Sequence, residues 1–246
     1  MTFAGRRVLV TGGGSGLGAD LARGFAAAGA GVVIAGRRLE ALQTVAKSSP
    51  GMRAIAADVT SEDSVKALFA AAGACDIVIA NAGGADSAPF GRTGLAQWND
   101  IIAVNLTGTF LTLREGLKQI PGWGRLIAVA SIAGLKGYPY VAPYVAAKHG
   151  VVGLVRSLAL EVAHSPVTVN ALCPGYLNTE MTERSIGNIV RKTGRSPEEA
   201  RASLTKHNPQ GRLIEPAEVT SAALWLCGSG SEGVNGQAIA ISGGEA

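Results

Sequence analysis

Cysteine is scarce in this chain of 246 residues: Cys75, Cys173 and Cys227 are odd in number, widely separated, and form no Cys-x-x-Cys. That excludes a disulfide framework and a cysteine zinc site, and it reads as reduced, mostly buried thiols in a cytoplasmic protein. The three histidines, His149, His164 and His207, lack metal-ligand spacing, so no metal is expected. Charge is also thin, at 16% of residues, and aromatics make up 5%. The 22 Lys and Arg against 18 Asp and Glu leave a net charge of +4, with no basic block that would serve as a nucleic-acid arm. So mild a positive balance still favours anionic ligands such as phosphates. The longest uncharged stretch, Val162–Thr179, is broken by Pro166, Asn170 and Pro174, so no membrane helix is expected there. No signal peptide precedes the first strand-like run.

Small residues are what the chain has in plenty, including 34 glycines, and 47% of the sequence is hydrophobic. A length of 246 residues suits one α/β domain with a full core. Strand-like runs alternate with helical patterns throughout. The runs are 7–11, 31–35, 52–57, 76–80, 125–130, 167–172 and 238–241; the helical patterns cover about 16–28, 39–47, 61–72, 95–119 and 142–163. Strands that are apolar throughout, without alternation, point to a parallel sheet covered on both faces. Alternation with helices makes it a doubly wound, Rossmann-like α/β sheet of about seven strands. One segment breaks the rhythm: Tyr176 to Arg212 is polar, carries seven Arg and Lys, and lies after a strand's carboxyl end, where a substrate lid is expected.

Thr11-Gly12-Gly13-Gly14-Ser15-Gly16-Leu17-Gly18 follows the first strand directly and opens the first helix. Glycines there permit a tight turn, close approach of a pyrophosphate, and a helix N-terminus directed at phosphate charge. The choice of dinucleotide is decided at the end of the second strand, where NAD sites place a carboxylate. Here the strand ends Ala35-Gly36-Arg37-Arg38, with no acid. Arg37 and Arg38 offer charged, planar forks suited to a 2′-phosphate, so NADP(H) is preferred, with NAD(H) the alternative.

Tyr144 and Lys148 stand four residues apart, and Tyr144 alone of the four tyrosines has a basic residue at that spacing. On a helix the two heads meet on one face. A free phenol, with pKa ~10, is a poor proton donor or acceptor near neutrality; an adjacent ammonium favours the phenolate and is expected to lower that value. Ser131 lies thirteen residues upstream, at the carboxyl edge of the sheet, where ligands bind in open α/β folds.

With the glycine turn and these three residues on one chain, the sequence resembles the short-chain dehydrogenase/reductase family over essentially its whole length. Asp58-Val59 is similar to the family's adenine-holding pair. Asn81-Ala82-Gly83 resembles the motif that stabilises the central strands, and Asn105 the asparagine of a catalytic tetrad. Pro174-Gly175 with Thr179 resembles the segment that closes over the nicotinamide. The resemblance implies that Tyr144 exchanges a proton with a carbonyl or hydroxyl oxygen and that Lys148 lowers its pKa and binds the nicotinamide ribose. It further implies that Ser131 stabilises the alkoxide and that Asn105 holds a water linking Lys148 to solvent. The implied assembly is a homodimer or homotetramer built on the long helices. Two departures stand out: Ala80 replaces a common Asn, and Ser242-Gly243-Gly244 replaces a common Asp-Gly-Gly, leaving that segment's contacts open.

Substrate choice should reside in the lid. Its excess of Arg and Lys favours a carbonyl or alcohol substrate with a phosphate-bearing handle, such as an acyl-CoA or a carrier-bound acyl group; the alternative is a solvated helix face. Ala142–Gly153 resembles 3-oxoacyl and polyketide ketoreductases, and Trp98, Tyr138, Tyr140 and Tyr176 are candidate pocket residues. An alcohol, sugar or hydroxyacyl-CoA dehydrogenase using NAD(H), and a non-catalytic dinucleotide sensor, are the competing readings.

Overall fold

The computed structural model describes residues 2–120 and 122–246. Its centre is a seven-stranded parallel sheet: β1 (Arg7–Thr11), β2 (Gly31–Gly36), β3 (Arg53–Ala56), β4 (Ile77–Ala80), β5 (Gly124–Val129), β6 (Val167–Pro174) and β7 (Ala238–Ile241), in the order β3-β2-β1-β4-β5-β6-β7. The apolar runs are explained by the two cores. Leu9 belongs to one core, while its neighbours Val8 and Val10 point into the other. Helices α3 (Glu62–Ala72), α5 (Gly108–Gln119) and α6 (Ala142–Glu161) cover the first face. Helices α1 (Gly16–Ala27), α2 (Leu39–Ala46) and α9 (Pro216–Cys227) cover the second. Chain order reverses between β1 and β4, which opens a crevice at their carboxyl ends, the position where such sheets bind ligands.

The helix expected over 95–119 is divided. α4 (Leu95–Ile102) runs into one π-helical turn, Ala103–Thr107, before α5. Asn105 causes the break: its side-chain amide donates to Ile101 O at 2.9 Å and to Gly84 O at 2.8 Å, so the loop after β4 is stitched into the helix. An inserted bond of this kind is the usual origin of such a turn and is common at functional sites.

Residues 176–212 hold two helices, α7 (Glu180–Thr193) and α8 (Pro197–Thr205). Gly194 stops α7 with φ of +70°, a conformation that favours glycine. Ser196 and Glu199 then form a reciprocal capping box that starts α8. None of the described helices is long and apolar enough to cross a membrane. All three cysteines are free and buried.

Candidate active site

One cavity of about 1190 Å³ opens at the carboxyl ends of the strands; apart from Thr11 and Gly13 of the glycine turn, the residues singled out above for chemistry or cofactor binding line it. The glycine turn forms its floor on the β1 side. A Cβ on Gly18 would lie 2.2 Å from Gly12 O, and one on Gly12 would lie 2.9 Å from the Ala82 Cα, so α1 sits against the turn without room for a side chain. Asn81 locks this arrangement from β4 by donating through its amide to Thr11 O at 2.9 Å, while its backbone N–H and that of Ala82 both donate to Thr11 Oγ1 at 3.1 Å. Ser15, the N-cap of α1, makes no side-chain capping bond, so the first-turn N–H groups face the cavity unclaimed.

At the end of β2 the cavity meets Arg37 and Arg38, both exposed, and no carboxylate. Asp58 Oδ1 accepts the Thr60 N–H at 2.9 Å and the Thr60 hydroxyl at 2.7 Å. Those two bonds hold the Asp58 carboxyl below its usual range, with a smaller contribution from Arg37. A dinucleotide fits this donor set: a glycine cradle and helix N-terminus for the pyrophosphate, a carboxylate beside the adenosine end, and two guanidinium groups at the ribose position.

At the other end, Ser131, Tyr144 and Lys148 share the wall. Ser131 caps a short 3₁₀ turn (Ile132–Gly134) by accepting the Ala133 N–H at 3.1 Å, which leaves its own O–H available to donate. Pro143 lies in the first turn of α6, where its missing N–H costs nothing, and Tyr144 and Lys148 follow on one face. Lys148 is buried; its Nζ donates to Val129 O at 2.8 Å and lies 5.5 Å from the centre of the Tyr144 ring.

The expected lowering of the Tyr144 pKa is not what this packing produces. Burial pushes the phenol up to about 12, opposed by the Ser131 hydroxyl. Burial also pushes the Lys148 ammonium down to about 8. Desolvation dominates at both groups, and the Lys148 ammonium is hydrogen-bonded to the Val129 carbonyl. Asn105 is fully buried, and its side-chain bonds go to Gly84 and Ile101.

Tyr138, Tyr140 and Tyr176 line the cavity, but Trp98 does not: it sits on the partly exposed side of α4. His207 and Leu204 are wall residues that the sequence reading missed. A lone histidine far from any motif carries no spacing signal, so only the fold could place it.

The family described as short chain dehydrogenase matches residues 6–188. A D-beta-hydroxybutyrate dehydrogenase of Rhizobium meliloti strain 1021 is 35% identical over 252 residues, covering 97% of this chain and 98% of its own. The chain belongs to the short-chain dehydrogenase/reductase family. The solved structure of actinorhodin polyketide ketoreductase with NADPH superposes with a TM-score of 0.92 at 34% identity, covering 98% of this chain and 97% of that one. Levodione reductase gives 0.93 at 32% identity, with 99% and 98% covered. As a short-chain dehydrogenase/reductase, the protein is an oxidoreductase acting on CH–OH groups and interconverting hydroxyl and keto functions, in a family that uses NAD(P).

Proposed function

We propose that the protein is an NADP(H)-dependent reductase of a 3-oxoacyl thioester or a related β-keto compound. The observation that carries this reading is a single cavity with Arg37 and Arg38 at one end and Ser131, Tyr144 and Lys148 at the other. In reduction the bound nicotinamide supplies a hydride to the carbonyl carbon. Tyr144 gives its hydroxyl proton to the carbonyl oxygen, and alcohol oxidation reverses the transfer. Ser131, whose hydroxyl stands beside that of Tyr144, donates to the same oxygen as charge develops on it. Lys148, whose Nζ lies beside Gly83, has two further N–H groups beyond the one held by Val129 and would bind the nicotinamide ribose with them. Its charge supports the developing phenolate. Asn105 acts as a positioning residue, fixing the loop after β4 against the helix.

The reading also takes residues 1–246 as one NAD(P)-binding domain with a lid over 176–212. Of the seven lid cations, Arg201 pairs with Glu183 and Arg212 with Glu218 of α9. Arg184 and Arg195 line the cavity and form no ion pair among the described residues, and Lys192 bridges to Ser87 O at 3.2 Å. These three cations support an anionic handle on the substrate, as in an acyl-CoA or carrier-bound acyl group. Exposed Leu95, Trp98 and Phe110 on α4 and α5 support a homodimer or homotetramer. The identity to a D-beta-hydroxybutyrate dehydrogenase favours, as a second reading, an NAD(H)-dependent hydroxyacid dehydrogenase.

A panel of β-ketothioesters, simple ketones, sugars and 3-hydroxybutyrate, each with NADPH and NADH or their oxidised forms, separates these readings. Fastest turnover of a β-ketothioester with NADPH is expected. Dinucleotide binding without turnover of any member would leave a sensor as the better account.

A further inference from the structure

We infer that Glu245 is a positioning residue that selects among ketones by holding Tyr138 in an aromatic wall at the substrate end of the cavity. The inference rests on the proposed ketone reduction. Tyr138, Tyr176 and His207 line the cavity together with Tyr144. The Tyr138 ring stands edge-on to Tyr176, with centres 6.3 Å apart, and edge-on to His207 at 5.8 Å. Tyr176 and His207 are 6.4 Å apart, which closes the triangle.

Glu245 stands behind this wall. Its side chain is only 2% exposed, it accepts the Tyr138 hydroxyl, and it pairs with Lys136 Nζ at 3.1 Å. Lys136 Nζ also donates to the Glu245 backbone carbonyl at 3.1 Å. A buried carboxylate is costly unless paired and hydrogen-bonded, and here these partners meet that need. The segment that carries Ser242 is fixed by its neighbours. Gly175 N–H donates to Ile241 O at 3.0 Å, Ser242 is buried, and Gly243 adopts φ of +64° where a Cβ would lie 2.0 Å from Asn208 Oδ1. No side chain fits at Gly243, which stands against the turn after α8. Gly175 continues the fit: a Cβ there would lie 3.6 Å from Glu245 Oε2.

The consequence is steric and rotational. A phenol donating to a fixed carboxylate has one preferred ring orientation, and burial together with Glu245 raises its pKa so that it stays a phenol. Glu245 touches no reacting atom. Its removal therefore affects substrates that reach the wall and spares those that end short of it.

The test uses the full chain with NADPH and two β-keto esters, one small and one bearing an aromatic extension. For Glu245→Gln, KM for the aromatic ester is expected to rise about tenfold, with kcat and the NADPH Kd within about threefold and the small ester little changed. Tyr138→Phe should act in the same direction, and the double variant should add nothing to the stronger single one. Equal KM shifts for both esters, or additive singles, would overturn the inference. If the wild type reduces neither ester, the proposed function has failed, and near-ultraviolet circular dichroism decides the present point alone. Glu245→Gln should then change the near-ultraviolet tyrosine signal of the folded protein, with the change lost in the Tyr138→Phe background; identical spectra would refute the pairing.

Discussion

Lys148 Nζ donates to the Val129 carbonyl at 2.8 Å, which ties the second turn of α6 to the last residue of β5. Ser131 is two residues beyond that carbonyl and Tyr144 one turn before that ammonium, so this bond sets where both stand. Phenol and ammonium are both withdrawn from water, which pushes the phenol's pKa up and the ammonium's down.

Tyr144→Phe removes the group proposed to transfer the proton while keeping the ring. Turnover should fall by about a thousandfold, with the NADPH Kd within about twofold of wild type. Stopped-flow hydride transfer and fluorescence titration of NADPH check the two halves separately. A variant with near-normal kcat would remove Tyr144 from the mechanism.

Reduction should lose rate above about pH 8. Burial holds Tyr144 protonated up to about 12, so its proton is present throughout the working range. The Lys148 charge, by contrast, is lost as pH rises through about 8. The pH profile of kcat/KM for reduction should be flat below that value and descend above it. A flat profile to pH 10 would show that the charge does not matter.

Lys148→Met should abolish turnover and raise stability. Depressing the lysine pKa from 10.5 to about 8 costs on the order of 3 kcal/mol at pH 7. Orphaning the Val129 carbonyl returns about 1 kcal/mol of that, leaving a net gain of about 1–2 kcal/mol. Tm should rise by roughly 3–6 °C at pH 7. Between pH 8 and 10.5 the unfolded wild type binds more protons than the folded one, so its stability climbs with pH and the difference closes. Calorimetry at pH 7 and pH 10 reads both effects.

Arg37→Asp should weaken NADPH about tenfold to hundredfold and leave NADH within about threefold, by loss of a phosphate-directed fork. Isothermal titration with each cofactor measures the switch. Equal wild-type affinities would contradict a preference for the 2′-phosphate.

Two glycines should respond in opposite directions to alanine. At Gly18 the added Cβ meets Gly12 O at 2.2 Å, a backbone atom that cannot yield, and a loss of about 3 kcal/mol is expected. At Gly187 on α7 nothing lies within 4 Å, and a gain of about 0.5–1 kcal/mol is expected from helix propensity. Urea denaturation of the two variants makes the comparison.

Local pattern was enough for much of this protein, because its signals act over one or two turns of chain. Apolar runs without alternation marked strands covered on both faces. The glycine run marked the turn before α1, and the four-residue spacing put Tyr144 and Lys148 on one helix face. The absent acid after Ala35 needed nothing beyond its neighbours. Tertiary structure alone decided the rest. The π turn at Asn105 depends on Gly84, twenty-one residues away, and the wall of Tyr138, Tyr176 and His207 depends on Glu245, more than one hundred residues from Tyr138. The direction of the pKa shifts at Tyr144 and Lys148 came from burial, which spacing does not encode. Periodicity reports which face of an element is apolar; only the packed fold sets how far a group is removed from water.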